Sequence, residues 1–412
     1  WVVDFGVIAF LGFFCLTLSK LRVSSYLILI FLFILAWAFL DRWPNLTQLI
    51  NGGRHILIFS AFLPTLALVR ATAVTMSSVK KTQKSLSELP PETISSSFQL
   101  SSNLLGGIIN LGSLSVLSAI LPKSAPEKRR LLGAEATLRG MATAAAWSPF
   151  FVAFAVGQNF TDTLNSWIAL GLGVIISLLF AIISIPIFNP SFSYAKIQLV
   201  LGCLKPIIFQ LAIIVLAVLT GTILFGFTAL SAVIVIMPLL VAYQCSKIPS
   251  SIPFIVTETR DSINNIADDI IVISAAMFLS YFAASSDELT SFMSYFFDTK
   301  IPGWFALLIT PLSMLVLSLV GIHPVISSVA LLSIFSGGNS NAHPALLMQA
   351  HLIGWGAGTM CSFVSLSAIS CSNLFAVPML KLVVGPNLLV ALSYSLLGAA
   401  LLATVDLFLI IN

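Results

Sequence analysis

Long apolar runs recur along almost the whole chain, and no other feature constrains its fold as strongly. A helix needs roughly 20 apolar residues to cross the hydrocarbon core of a bilayer. Charged residues are only 8% of the 412 residues, too few to cover a water-soluble protein, since ordinary globular chains carry about 25%. We therefore predict an all-α polytopic membrane protein with about 10 or 11 spans. The candidate spans fall at about 2–19, 23–40, 54–70, 131–157, 164–187, 203–220, 222–243, 268–286, 344–369 and 387–411.

The sparse charges and cysteines also limit partners and chemistry. No basic surface is large enough to follow a phosphate backbone, so we expect no nucleic acid partner. The five cysteines are scattered without a CxxC pair, which favours packing over metal binding or disulfides. The sequence has no HExxH motif and no GxxxxGK[ST] loop, so neither a membrane-embedded enzyme nor an ATP-driven pump is favoured, and we expect no cofactor. We interpret residues 2–19 as a true span rather than a secretory signal.

Basic residues flank the irregular apolar segment 99–121 on both sides. Four basic residues precede it, Arg70, Lys80, Lys81 and Lys84, and four follow it, Lys123, Lys128, Arg129 and Arg130. Because basic loops stay on the cytoplasmic side, both ends of this segment are expected to face the cytoplasm, which a single straight span cannot achieve. We therefore predict a re-entrant helical hairpin. Its tip falls in a stretch rich in glycine and polar residues, which includes Asn110, Gly112 and Ser113.

The segment 303–335 is predicted to be a second hairpin of opposite orientation. Asp287, Glu288 and Asp298 precede it, and the following loop, 336–341, has no lysine or arginine. Both flanks therefore favour the external side. The segment is too long for one span and suits two half-helices. Its predicted tip includes His323 and Pro324, because proline lacks a backbone donor and restrains a turn.

Each predicted hairpin is followed by a long apolar run that contains a polar break. The first break is predicted near Ser148 and Pro149. The second is predicted in the serine-rich run from Ser365 to Asn373, near Ser372 and Asn373. The same order of elements in opposite orientation predicts an inverted repeat, although apolar sequences also align by chance. The predicted organisation is N-terminal scaffold spans over 1–53, a first repeat over 54–220 and a second repeat over 221–412.

Two tips and two breaks that meet at mid-depth would form a binding site. Broken helices direct free N–H groups and positive dipole ends at whatever lies between them, and exposed carbonyls can coordinate a cation. We expect a small anion, with Na⁺ or H⁺ moving beside it. The asparagines could instead cap helices, the serines could bond to their own helices, and His323 could be structural or relay a proton. The candidate substrate-binding residues are Asn110, Gly112, Ser113, Ser148, Pro149, His323, Pro324, Ser372 and Asn373; Asn110 and Asn373 are the candidate Na⁺ ligands.

The order of elements from about residue 54 onward resembles the ion transporter superfamily. That superfamily includes the divalent anion:sodium symporters and the large membrane subunits of TRAP transporters. The resemblance rests on the tips Asn110-Leu111-Gly112-Ser113 and His323-Pro324-Val325 and on the breaks Ser148-Pro149 and Ser372-Asn373. It implies a homodimer with a fixed scaffold and a moving transport domain, which is an elevator mechanism.

The sequence therefore favours an elevator-type secondary active transporter of a small anion, either an organic acid or an oxyanion. Coupling to Na⁺ or H⁺ is expected, in a multi-pass protein of a bacterial inner (plasma) membrane. Two alternatives remain open at this stage. One is an exporter or antiporter of a toxic oxyanion or cation, and the other is a passive channel, which would conduct without saturation.

Overall fold

The computed structural model describes residues 2–39, 44–188, 193–283, 300–336 and 339–411. Eighteen α-helices lie within these residues, and no strand is found among them. The helices are α1 (Val2–Leu18), α2 (Val23–Phe39), α3 (Leu46–Thr75), α4 (Ser77–Ser87), α5 (Ile94–Ile109), α6 (Gly112–Ser118), α7 (Glu127–Ala144), α8 (Val152–Gly157), α9 (Thr163–Phe188), α10 (Tyr194–Phe225), α11 (Ala229–Lys247), α12 (Ile252–Ala283), α13 (Gly303–Leu319), α14 (Pro324–Phe335), α15 (Pro344–Met360), α16 (Leu366–Phe375), α17 (Met379–Val384) and α18 (Pro386–Ile411).

Several of these helices have the length and composition of membrane spans. Helices α3, α9, α10 and α11, together with the stretch Met379–Leu409, are long and apolar enough to cross a bilayer, and shorter apolar helices accompany them. The outward-facing side chains are apolar as well: Ile182 of α9 is 68% exposed and Ile223 of α10 is 78% exposed. Such surfaces are stable where hydrocarbon replaces water. The prediction of an all-α polytopic membrane protein is confirmed.

The chain reverses direction between α5 and α6. Helix α5 ends where the Asn110 N–H donates to the Gly106 carbonyl at 3.0 Å. Asn110 then adopts φ 47° and ψ −117°, and α6 begins at Gly112. A hydrogen bond joins α6 to α4: the Gln83 amide of α4 donates to the Val116 carbonyl of α6 at 3.0 Å. The sharp turn is therefore made by one non-glycine residue with a positive φ.

A second reversal joins α13 to α14. Gly321 has a φ of 89°, and the His323 imidazole caps α14 because its Nδ1 accepts a hydrogen bond from the Val325 N–H at 3.2 Å. Pro324 takes the first helical position, where a missing N–H costs no hydrogen bond. The acidic residues Asp287, Glu288 and Asp298, on which the predicted orientation of this segment rests, lie outside the described residues.

Helices α7 and α8 are separated by an irregular break. It extends from Ala145 to Phe151. Ser148 stabilises the break in two ways: its hydroxyl accepts from the Phe150 N–H at 3.1 Å and donates to the Gly107 carbonyl of α5 at 2.5 Å. The break is therefore packed against the first reversal.

A second break, at residues 361–365, separates α15 from α16. Ser365 caps α16, since its hydroxyl accepts from the Ala368 N–H at 3.1 Å and donates to the Thr359 carbonyl at 2.8 Å. The sequence prediction placed this break in the run 365–373, near Ser372 and Asn373. The break lies at the beginning of that run, and a further interruption, at 376–378, follows the two residues. Both residues lie in the last turns of α16. The Ser372 hydroxyl donates to the Val377 carbonyl at 2.7 Å, so it serves the end of α16 rather than its start.

Helix α15 is the most deeply buried helix of the described chain segments and connects the two halves. His351, fully buried on α15, lies 3.0 Å from the Ser328 hydroxyl of α14 through Nδ1. Its Nε2 lies 2.9 Å from the Ala153 carbonyl of α8. The His351 imidazole therefore contacts both α8, which follows the first break, and α14, which follows the second reversal.

A buried arginine joins the hairpin helix α5 to α7 and α18. Arg139 of α7 is 1% exposed and donates to the Gln99 side chain at 3.3 Å and to the Asn387 side chain at 3.0 Å. Its guanidinium also lies 4.0 Å from the centre of the Phe188 ring. Neutral amides, a ring face and the carboxylate of Glu135, one turn earlier on α7, therefore surround this charge.

Candidate functional site

Two neighbouring cavities lie where the reversals and breaks meet. The first, which we call cavity A, has a volume of about 110 Å³. All four irregular elements contribute to its wall, and α12 and α15 complete it. The wall consists of Asn110 and Leu111 from the first reversal, Phe151 from the first break and Val152 at the start of α8, His323 from the second reversal and Pro324 at the start of α14, Ser365 from the second break and Leu366 and Ser367 at the start of α16, Ile273 of α12, and Trp355 and Thr359 of α15.

The second cavity, cavity B, also has a volume of about 110 Å³. Its wall shares four residues with cavity A: Asn110, Leu111, Val152 and Leu366. It extends from them toward α3 and α12, and it is the cavity to which Arg70 of α3 belongs. The two cavities together therefore connect the reversals and breaks to the long helices α3 and α12.

Four helices begin at cavity A. These are α6, α8, α14 and α16. Helix N-termini carry partial positive charge and unpaired N–H groups. His323 caps α14 and Ser365 caps α16 through their side chains, whereas α6 and α8 have no side-chain cap. The electrostatic character of cavity A therefore favours a negatively charged or hydrogen-bond-accepting guest.

The imidazole of His323 is held in one orientation. Its Nδ1 accepts from a backbone N–H, so the neutral ring carries its proton on Nε2. The ring meets Trp355 edge to face at 6.4 Å between centres, and Trp355 meets His351 in the same way at 5.9 Å. His323 and Trp355 thus place two aromatic rings that carry N–H groups in the wall of cavity A.

Arg70 supplies a full positive charge to cavity B. It lies near the end of α3 and packs against the first reversal, since a Cβ placed on Gly112 would be 3.3 Å from the Arg70 Cγ. The carboxylate of Glu258 in α12 interacts favourably with the positive charge of Arg70. Sequence reasoning used Arg70 only as a marker of the cytoplasmic side. Nothing in the local sequence indicates that its side chain turns toward the reversal.

Three of the predicted site residues line cavity A: Asn110, His323 and Pro324. Gly112 lies next to it, against Arg70. Ser113 is fully buried, and its hydroxyl donates to the Asn110 carbonyl at 2.8 Å. It therefore supports the reversal and does not line either cavity.

The other predicted residues lie outside cavities A and B. Ser148, in the first break, donates a hydrogen bond to Gly107 of α5, and Pro149 lines a separate apolar groove. Ser372 is engaged at the end of α16, and Asn373 is exposed there, so neither contributes to the cavity walls. The predicted Na⁺ role of Asn373 has no support from this position.

Four polar residues of cavity A were absent from the predicted set. Trp355 and Thr359 lie within the regular helix α15, where no break or turn marks them. Ser365 and Ser367 belong to the serine-rich run that the sequence analysis assigned to the second break. A signal for the two serines was therefore present, but the break was placed at the wrong end of that run.

The described residues hold no group of three or more histidine, cysteine, aspartate or glutamate side chains that could bind a metal ion. For a cation beside the anion, the oxygen groups of the wall are the amide of Asn110 and the hydroxyls of Thr359, Ser365 and Ser367. Oxygen ligands of this neutral type suit a monovalent ion rather than a transition metal.

The fold and this site define a polytopic α-helical membrane protein with a small polar chamber enclosed by broken and reversed helices. No protein-family model matches the chain, and no curated protein matches it. Among solved structures, it is similar to the YdaH transporter of Alcanivorax borkumensis, whose topology is described as unusual. The similarity covers 98% of both chains at 14% sequence identity, with a TM-score of 0.48.

Proposed function

We propose that this chain is a secondary transporter that binds a small anion in cavities A and B. The observation that supports the proposal is the meeting of two reversals and two breaks at one enclosed polar chamber. Irregular backbone is costly within a membrane and is tolerated where it is buried in protein or lines a cavity. In transporters, substrate sites are typically formed by such discontinuous helices.

The charge of the chamber determines the class of substrate. Four helix N-termini face cavity A, and Arg70 adds a positive charge at cavity B. Both features stabilise an anion, and each helix terminus contributes typically 0.3–1 kcal/mol. The two cavities, of about 110 Å³ each, admit an organic acid or oxyanion of a few non-hydrogen atoms.

The transport cycle belongs to the same proposal. We infer an elevator motion in which α5 to α8 and α13 to α16 carry the anion past a scaffold that includes α3 and α12. Cavity B supports this division, because its wall combines residues of both groups. Na⁺ bound near Asn110, or H⁺, would couple the movement to an ion gradient. A homodimer in a bacterial inner membrane is the expected setting.

Matched histidine variants test the anion site. His323 and His343 each precede a proline and each cap a helix through Nδ1, at 3.2 Å to Val325 N and 3.3 Å to Ala345 N. Asparagine also caps helices well, so His323→Asn and His343→Asn preserve both caps. Only His323 lines cavity A. The purified proteins are heated with chloride, sulfate, phosphate, acetate or succinate, at several pH values, in Na⁺ or K⁺.

We expect one or more anions to raise the unfolding temperature of the wild type and of His343→Asn, but to have a smaller effect on His323→Asn. An anion at 100 times its dissociation constant stabilises the folded state by about 2.7 kcal/mol. Equal stabilisation of both variants would place the anion elsewhere. The stabilising anion is then offered to proteoliposomes. Saturable uptake that depends on Na⁺ or pH supports symport, export under the same gradient indicates an antiporter, and flux without saturation indicates a channel.

A further inference from the structure

A third and larger cavity, of about 550 Å³, lies between α9 and α10. One wall is the face of α9 from Trp167 to Leu178, and the other is the face of α10 from Ile208 to Leu219. Its floor is formed by α5 and by Trp147, Pro149 and Phe150 of the first break. We call this cavity the α9–α10 groove. It shares only Phe150 with cavity B and no residue with cavity A, so it lies outside the proposed anion site.

The groove has the length of one bilayer leaflet. Each wall covers eleven residue steps of helix, which corresponds to about 16 Å at 1.5 Å per residue. The hydrocarbon of one leaflet is about 15 Å deep. Dividing the volume by this length gives a mean cross-section of about 33 Å², equal to a circle about 6–7 Å across, whereas an α-helix has a diameter of about 10–12 Å. The groove therefore matches a single chain of carbon atoms more closely than a helix of a second copy.

Of the three groove side chains that carry N–H donors, two are paired within the protein and one is buried without a partner. Asn103 donates to the Ser177 hydroxyl at 2.9 Å and accepts from the Trp147 indole at 3.3 Å, so these three side chains satisfy one another. The Trp167 Nε1 is buried and has no hydrogen-bond partner among the described residues. Trp167 lies in the second turn of α9, and the wall beyond it runs toward the middle of the helix. Tryptophan is enriched at the level of lipid headgroups.

We propose that the α9–α10 groove binds one acyl chain of a membrane phospholipid, with an ester carbonyl oxygen accepting a hydrogen bond from Trp167 Nε1. A glycerolipid is apolar over the depth of one leaflet and carries its acceptor at the interfacial end. This is the distribution that the groove presents: an unpaired N–H near the end of α9 and apolar side chains below it.

Two glycines provide a matched pair of variants. A Cβ placed on Gly171, in the wall of the groove, would meet nothing within 4 Å, and the same holds for Gly202 on α10, outside the groove. Gly171→Phe therefore fills the groove without a clash, whereas Gly202→Phe adds the same side chain to an exposed helix face. Trp167→Phe removes the N–H and retains an aromatic ring.

The delipidated proteins are titrated with dioleoyl phosphatidylcholine and examined by native mass spectrometry. We expect one tightly retained lipid on the wild type and on Gly202→Phe, and none on Gly171→Phe. Trp167→Phe should weaken retention about threefold to tenfold, the effect of one hydrogen bond. Equal retention by Gly171→Phe and Gly202→Phe, with both variants folded by thermal unfolding, would overturn the proposal. So would a loss of dimers in Gly171→Phe without a change in bound lipid, because it would show that protein covers the groove.

Discussion

Asn110 combines two properties that are separable by mutation. Its backbone, at φ 47° and ψ −117°, lies in a region that glycine adopts with less strain. Its side chain lines both cavity A and cavity B. Strained residues of this kind typically cost about 1–3 kcal/mol and are maintained where the surrounding structure requires them. We therefore expect Asn110 to lower the stability of the fold through its backbone strain while its amide group contributes to the binding site.

Substitution of Asn110 by glycine and by alanine tests this expectation. We expect Asn110→Gly to raise the unfolding temperature, because it relieves strain of about 1 kcal/mol, and Asn110→Ala to lower it. Both variants lose the amide, so both should show reduced stabilisation by the anion that binds the wild type. Thermal unfolding with and without that anion measures both effects. A glycine variant less stable than the alanine variant would contradict the backbone argument.

At the same scale, the sequence indicated some site residues and missed others for a physical reason. His323 and Pro324 were predicted because a histidine and a proline interrupt an apolar run. Arg70, Trp355 and Thr359 lie within regular helices, where the sequence shows no interruption. Whether such a side chain faces lipid, core or cavity depends on neighbours far away in the chain, which local patterns do not record.

Helices α13 and α15 share one buried carboxylate. Asp406 of α18 is 1% exposed, and its Oδ1 accepts from the His343 N–H at the start of α15 at 3.0 Å. Its Oδ2 approaches α13 so closely that a Cβ placed on Gly303 would lie 2.2 Å away. A negative charge at two helix N-termini is stabilising. Asp406 therefore caps the start of α15 through Oδ1, while its Oδ2 lies against the start of α13 without a hydrogen bond to a described residue.

Removal of this carboxylate should loosen both helices. Asp406→Ala leaves the His343 N–H unpaired in a buried position, which typically costs about 1–3 kcal/mol. Asp406→Asn retains an oxygen acceptor and should recover most of the loss. Hydrogen exchange of residues 303–307 and 343–348 should rise in the alanine variant and stay near wild type in the asparagine variant. Equal exchange in all three proteins would mean that Asp406 does not connect these elements.

The elements themselves were only partly predictable. Reversals were expected near 106–113 and 321–325 because glycine, proline and polar residues gather there, and the structure has turns in both places. The second break was placed too late, since four serines and an asparagine spread over 365–373 gave no indication of which residue ends a helix. Only the hydrogen bonds show that Ser365 starts α16 and that Ser372 serves its end.

For the whole molecule, the predicted opposite orientation of the two hairpin segments still needs a direct test. Exposed residues flank both segments: Ser87 and Ser124 flank the first, and Lys300 and Asn341 flank the second. In single-cysteine additions to the wild type, a membrane-impermeant maleimide should reach Ser87→Cys and Ser124→Cys from one side. It should reach Lys300→Cys and Asn341→Cys from the other. The unsubstituted protein controls for native cysteines. Labelling of Ser87→Cys and Ser124→Cys from opposite sides would exclude a hairpin between them.

The class of the fold was the easiest property to predict, because hydropathy along the chain records contact with lipid directly. The central chamber was harder. Its wall combines residues from 110 to 367, and no continuous stretch of sequence carries its composition. Pairing of the two halves through α15 brings those residues together, and a single sequence contains no record of that pairing.

Phe150 lies in the wall of cavity B and also in the floor of the α9–α10 groove. Phe150 is therefore a wall residue shared by cavity B and the groove. A harsh detergent that removes lipid from the groove would allow the Phe150 ring to move toward the groove. That movement would change the shape of cavity B and so its affinity for the anion, although the detergent itself does not enter cavity B. Biochemists who purify the protein should accordingly expect its ligand binding to depend on which solubilising agent they choose.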